Sequence, residues 1–269
     1  RGDVYGAAMQ ASVVLGDPDA AWALHRRARE KGVPLFAPEL NIALGAGARC
    51  GKLRDALALL DEMRAARDGG GGALAGGGGR AAAGGGLSGG GLAAPDVGSY
   101  DAVLKPLMME RRDEEMLRRF DQMGSEGLRP LESHFRLAIS ACANLRQGGR
   151  AAALLLRMQQ DGLRYQDAAA DAMSACCREG HPDLALDIFE SVRREVPASA
   201  AAADARGADS IFVMNSALEA LRRRRSAAEA AELLGTMGTG GGGGAVAGGV
   251  APDERSFAVV LAACREAAQ

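Results

Sequence analysis

A 35-residue period constrains this chain more than any other feature. Met123 and Met158 lie 35 residues apart, as do Gly127 and Gly162, Leu128 and Leu163, Phe120 and Leu155, and Tyr100 and Phe135. Self-similarity at such a period marks a repeat architecture, in which each unit buries its apolar face only by stacking on the next. One unit runs from Val97 to Leu131. Tyr100, Val103, Leu104 and Leu107 have the 3–4 spacing of one helical face. A polar turn at Arg111–Asp113 follows, then a second stripe at Leu117, Phe120 and Met123, and a close at Gly127-Leu-Arg-Pro130-Leu131. Neither helix is long enough to be stable alone in water. The turns agree with this reading. Gly16-Asp17-Pro18 and Gly180-His181-Pro182 separate first from second helices, and Gly127-Leu128 and Gly162-Leu163 end second helices. Gly suits a helix end and Pro the first turn of the next helix.

The period divides residues 1–269 into a single solenoid of about seven units: 2–36, 37–96, 97–131, 132–165, 166–209, 210–253 and a partial 254–269. The second unit carries a Gly-rich insertion at 69–91 and the sixth another at 238–249; an Ala-rich one interrupts the fifth at 197–208. These read as flexible, disordered loops after second helices. Aromatic residues make up 4% of the chain, too few for a compact β-rich core, whereas its Ala, Leu, Arg and Glu favour helices. The expected fold is all-α: an α-solenoid, a right-handed superhelix of stacked helix-turn-helix repeats. Pro106 falls inside a first helix and is expected to kink it or shift its start.

Little in the sequence points to catalysis. The five cysteines, Cys50, Cys142, Cys176, Cys177 and Cys264, show no Cys-x-x-Cys spacing. Cys142, Cys176 and Cys264 recur at one place in the repeat and read as small core residues. His25, His134 and His181 are scattered. The many Gly-x-Gly matches are low complexity, not phosphate loops. We therefore expect no enzyme, no cofactor and no metal. No run approaches the ~18 apolar residues of a membrane span. The net charge is −2, so a nucleic-acid partner would have to meet a local basic stripe, not a basic molecule.

The units resemble the pentatricopeptide repeat (PPR) family. The matching pieces are Tyr100-Asp101, Ala56-Leu-Ala-Leu59-Leu60-Asp-Glu-Met63, Leu186-Asp-Ile-Phe189 and Gly127-Leu-Arg-Pro130, with Pro95-Asp96 and Pro252-Asp253 as unit ends. The Trp-Leu-Gly and Ala-Phe landmarks of the 34-residue tetratricopeptide repeat are absent. The resemblance implies single-stranded RNA binding in an organelle, one base per unit, read by the fifth and the last residue. Carried over, Asn41 pairs with Asp96 and Asn215 with Asp253, a combination that in the family favours uridine. Asp101 pairs with Leu131, and Arg136 with Tyr165 or Gln166, while Gly6 and Ala170 have no side chain able to read a base. The family's base-sandwiching second position is matched by Phe212, but not by Pro38, Gly98, Ser133 or Arg255. A basic residue late in the first helix can touch phosphate in the family, and Arg49, Arg178 and Arg223 stand there.

Blander readings stand beside these. Asn41 and Asn215 also fit as polar residues near helix starts, and the run Arg222–Arg225 as a solvated face. Two functions remain open. One is an RNA-binding module that acts in RNA stability, processing or translation by occupying its target. The other is a scaffold whose groove holds a protein partner. The chain opens at Arg1 and stops at Gln269 in mid-pattern, as expected of part of a longer protein. The resemblance implies a monomer in an organelle, a plastid rather than a mitochondrion.

Overall fold

The computed structural model describes residues 2–69, 93–195, 211–238 and 251–268. Among these are thirteen α-helices and no strand. They are α1 (Gly2–Val14), α2 (Pro18–Glu30), α3 (Ala37–Arg49), α4 (Leu53–Gly69), α5 (Val97–Met109), α6 (Asp113–Ser125), α7 (Glu132–Asn144), α8 (Gly148–Gln160), α9 (Gln166–Glu179), α10 (Pro182–Glu195), α11 (Ile211–Arg223), α12 (Ala227–Gly238) and α13 (Glu254–Ala267). Odd-numbered helices are the first of each repeat and even-numbered ones the second. The insertions expected at 69–91, 197–208 and 238–249 lie outside the described residues, apart from 69 and 238, which end α4 and α12.

The chain forms two compact units, Arg1–Pro130 and Leu131–Gln269. In the first, α1, α3 and α5 pack in series; in the second, α7, α9, α11 and α13 do the same. Each second helix packs on its own first helix and, within its unit, on the first helix that follows, as α8 does on α7 and α9. The two layers therefore need different surfaces. A first helix such as α9 has neighbours on three sides and buries Ala168, Ala169, Ala172, Met173, Ala175, Cys176 and Cys177. Its small side chains let the surrounding helices come close. The second helix α8 buries a narrower stripe, Ala151, Leu154, Leu155 and Met158, in the i, i+3, i+4, i+7 pattern. Tyr100, Val103, Leu104, Leu107, Leu117, Phe120 and Met123, the apolar residues of the third repeat, are all buried. Pro106 sits inside α5, whose start stays in register with the other first helices.

In unit 1 the outer layer is also tied by charge. Arg119 of α6 donates to both carboxylate oxygens of Asp61 on α4, and Arg64 of α4 donates to Glu126, whose side chain is 1% exposed. The periodic cysteines divide. Cys142 and Cys176 are fully buried, but Cys264 is exposed, because α13 packs on α11 and α12 and no second helix follows it among the described residues.

The turn between first and second helices uses one backbone solution throughout. The fifteenth residue counted from the start of α1, α3, α5, α7, α9 and α11 has positive φ: Gly16 (80°), Gly51 (75°), Arg111 (60°), Arg146 (57°), Gly180 (101°) and Arg225 (59°). Glycine takes this conformation freely, whereas an arginine carries steric strain there.

Two outcomes test this packing. Gly148 opens α8 against α9, and a Cβ there would meet the backbone of Cys176 at 2.5 Å from its Cα and 2.7 Å from its N. Gly148→Ala should therefore lower stability in urea unfolding by about 1–3 kcal/mol. His25 is 1% exposed, with its ring 5.2 Å from that of Trp22. Burial, reinforced by the Arg29 charge, lowers its pKa to about 4. Its folded pKa lies below the unfolded value, so the native state binds fewer protons and loses stability as pH falls from about 6.5 towards 4. By pH 5 the loss should reach about 2 kcal/mol, and His25→Phe should remove that share of the pH dependence in thermal melts.

Candidate nucleic-acid interface

The last residue of one repeat is the N-cap of the next first helix, and this brings the paired positions together. Asp96 caps α5: its Oδ1 accepts from the Ser99 N–H at 2.9 Å, and the Ser99 hydroxyl accepts from the Asp96 N–H at 3.1 Å. This is a reciprocal capping box, which satisfies two helix-end donors. Asn41, on the neighbouring helix α3, joins it. Its Nδ2 donates to Asp96 Oδ1 at 2.9 Å, and its Oδ1 accepts from the Ser99 hydroxyl at 2.5 Å.

The same three residue types recur at α13. Asp253 Oδ1 accepts from the Ser256 N–H at 2.8 Å, and the Ser256 hydroxyl accepts from the Asp253 N–H at 3.2 Å. Asn215 of α11 donates through Nδ2 to the Asp253 carboxylate at 3.2 and 3.3 Å, and its Oδ1 accepts from the Ser256 hydroxyl at 2.6 Å. Hydrogen bonding, chiefly from the Ser256 N–H with a smaller contribution from Asn215, holds the Asp253 carboxyl below its usual range. Both pairs read from the sequence, Asn41 with Asp96 and Asn215 with Asp253, are therefore in direct contact. The serine that completes each of them was not singled out in the sequence, although Asp-x-x-Ser at both helix starts signals it.

Where the last residue is Phe36 or Leu131, the third residue of the next helix supplies the side-chain acceptor. Glu39 Oε2 accepts from the Phe36 N–H at 2.9 Å, and His134 Nδ1 accepts from the Leu131 N–H at 3.0 Å. Glu39 also occupies the space beside Gly6, where a Cβ would fall 2.6 Å from its Cγ. A fifth residue and the third residue of the following first helix are thus neighbours at Gly6 and Glu39, Asn41 and Ser99, and Asn215 and Ser256.

In unit 2 the first helices line a cavity of about 490 Å³ that holds Arg136, Phe212 and Asn215, three of the expected residues, together with Asp171, Ser174 and Arg255. Phe212 is 68% exposed and presents a large aromatic face in the same cavity as Asn215. Burial raises the Asp171 carboxyl above its usual range, and the charges of Arg178 and Arg136 partly offset this. Tyr165 is buried, whereas Gln166 lines the cavity, so of the two partners considered for Arg136 only Gln166 is in the groove. Asp101 is exposed on α5.

Arg49, Arg178 and Arg223 occupy the same place in the last turns of α3, α9 and α11, and all three are exposed. Arg178 donates to the Ala143 carbonyl at 2.9 Å and, through Nη2, to the Ser174 hydroxyl at 2.8 Å, and Arg223 donates to Glu219 at 2.8 Å. Among the described residues, no group of three or more His, Cys, Asp and Glu could hold a metal ion, and no helix is long and apolar enough to cross a membrane.

Removing the aspartate should expose the cost of the cap. Asp96→Ala takes the side-chain acceptor from the start of α5 and should lower stability by about 1 kcal/mol in chemical denaturation.

Comparison with known proteins agrees with this geometry. The PPR repeat model matches residues 46–67 and 172–195, each stretch running from a first helix through the turn into its second helix. No curated protein matches the chain. Among solved structures, the pentatricopeptide repeat protein PPR10 in complex with an 18-nt psaJ RNA element superposes with a TM-score of 0.61 at 23% identity, over 98% of this chain and 32% of that one. A cysteine-to-serine variant of PPR10 with the same RNA element gives the same TM-score, identity and coverage. The chain thus spans about a third of the solved proteins whose fold it shares. The chain carries the pentatricopeptide repeat signature on two of its helix pairs and shares the fold of PPR10 at a TM-score of 0.61.

Proposed function

We propose that this chain binds single-stranded RNA, with Asn41 and Asn215 reading uridine in the second and sixth repeats. The observation that carries this is the duplicated Asn–Asp–Ser constellation, in which each asparagine is held by its neighbours. An asparagine amide offers a donor and an acceptor side by side. Uracil offers an acceptor, O4, beside a donor, N3–H, so one amide can satisfy both. Single-stranded RNA is read in this way, by hydrogen bonds to splayed base edges and by stacking on aromatic rings. Phe212 supplies a ring beside Asn215. Asp101 and Arg136 occupy the fifth position in the third and fourth repeats, where Asp101 would accept from a base amino group and Arg136 would donate. Arg49, Arg178 and Arg223 would meet phosphates, and Arg178 and Arg223 retain further N–H donors beyond the bonds they make. PPR10, whose fold this chain shares, is known in complex with RNA.

The mechanism is occupancy rather than catalysis: a covered stretch of RNA is shielded from nucleases or kept from pairing. The site of action we propose is an organelle, a plastid rather than a mitochondrion, with the chain acting as a monomer. A second reading, a scaffold for a protein partner, is favoured by one observation. The cavity of unit 2 mixes Arg136 and Arg255 with Asp167 and Asp171 and so lacks a uniform basic lining.

Fluorescence anisotropy with U-rich and A-rich single-stranded RNA, at two salt concentrations, separates the readings. Wild type should bind the U-rich strand more tightly, and Asn41→Ala/Asn215→Ala should abolish the preference, each lost contact being worth on the order of 1–3 kcal/mol by analogy with base readout in DNA. Equal, strongly salt-dependent binding would mean backbone contact alone. No binding to either strand at micromolar protein would leave the scaffold reading.

A further inference from the structure

We propose that Ser99 and Ser256, the third residues of the following repeats, are positioning residues that fix which way round the Asn41 and Asn215 amides face and so set the choice of uracil over cytosine. The inference rests on the RNA reading of those asparagines and assigns a role to residues outside the fifth and last positions.

The argument starts from the chemistry of an amide. Turned over by half a turn, an asparagine exchanges its donor for an acceptor at the same place. Uracil presents the acceptor O4 beside the donor N3–H; cytosine presents a donor amino group beside the acceptor N3. An amide with a fixed sense fits one base and opposes the other, while a free amide turns to serve either. Discrimination between the two pyrimidines therefore depends on what holds the amide.

Two groups hold it here. The carboxylate of the last residue accepts only, so it draws Nδ2 and repels Oδ1; Asn41 donates to Asp96 at 2.9 Å, and Asn215 donates to Asp253 at 3.2 Å. That contact draws the amide one way round, but it anchors Nδ2 alone and leaves Oδ1 unheld, so the amide is still able to turn. The serine supplies the second point. Its hydroxyl accepts from the N–H of the same aspartate, at 3.1 Å for Ser99 and 3.2 Å for Ser256, which directs its own proton outwards. It then donates to the asparagine Oδ1, at 2.5 Å from Ser99 and 2.6 Å from Ser256. Both serines are fully buried, so no water competes for the hydroxyl. The aspartate oxygen is the more distant acceptor at both hydroxyls, 3.2 Å against 2.5 Å at Ser99 and 2.8 Å against 2.6 Å at Ser256. With both ends tied, each amide keeps one free Nδ2 hydrogen and one free Oδ1 lone pair, in a fixed order, for the base. The arrangement occurs twice, once in each compact unit.

The test compares wild type, Ser99→Ala/Ser256→Ala and Ser99→Thr/Ser256→Thr for binding to oligouridine and oligocytidine, with the ratio of the two affinities as readout. Wild type should favour oligouridine. The alanine variant should lose about tenfold of that ratio, as expected for releasing two ordered side chains, and the threonine variant, which keeps the hydroxyl, should retain it. An unchanged ratio in the alanine variant, or an equal loss of affinity for both RNAs, would overturn the proposal, because a capping role alone weakens both alike. If wild type binds neither RNA, the functional reading fails separately. The clamp is then decided, as it also is if the alanine variant does not fold, by NMR on RNA-free wild type. Ordered Asn41 and Asn215 side-chain amides support it, and mobile ones overturn it.

Discussion

The hydrogen bonds at the start of each first helix are the constraint on which the rest depends. A helix begins with orphan N–H groups, and at α3, α5, α7 and α13 a side-chain acceptor comes from the residue that ends the repeat before or from the third residue of the helix itself. At α5 and α13 the acceptor is an aspartate, and it draws in an asparagine from the previous first helix. One small group of atoms thus closes a helix end, ties two repeats together and orients the asparagine side chain. A cap contributes on the order of 1 kcal/mol, a modest amount for a repeat, but it sits where position matters more than energy.

The layers follow from the same serial order. First helices are enclosed on three sides and can use small residues, so α9 is largely Ala and Cys on its covered faces. Second helices cover one side and face outwards on the other, so they alternate Leu, Met and Phe with charge. In unit 1 the charged part of that surface is used as well, through Asp61 with Arg119 and Arg64 with Glu126. In unit 2 the first helices also line the cavity with Asn215 and Phe212.

Much of this was legible in the residues, because a 35-residue period fixes where helices must start. The expected starts at 2, 37, 97, 132, 166 and 254 are those of α1, α3, α5, α7, α9 and α13, and α11 begins at Ile211, one residue after the expected 210. The Asn–Asp pairs came from the family resemblance, which singles out the fifth and the last residue of a unit. What the spacing could not convey was three-dimensional company. Nothing in the string tells that Ser99 bonds Asn41 across 58 positions, that Tyr165 turns into the core while Gln166 faces the cavity, or that Cys264 is exposed where Cys142 and Cys176 are buried. The arginines at positive φ are hidden for another reason. Arg111, Arg146 and Arg225 stand where other repeats use Gly, and only the shared backbone reveals the equivalence.

The placement of the serines bears on how such an array could be cut and rejoined. The stretch of chain that folds as one repeat ends at Asp96, yet the group that holds its Asn41 in place ends three residues later, at Ser99. Asn215 and Ser256 have the same offset beyond Asp253. The module that carries chemical information is therefore not the module that carries the fold, and the two are out of phase by three residues. A recombination joint placed at the apparent boundary would transplant a side chain without its support, whereas one placed after the third residue of the next helix would carry the whole constellation across.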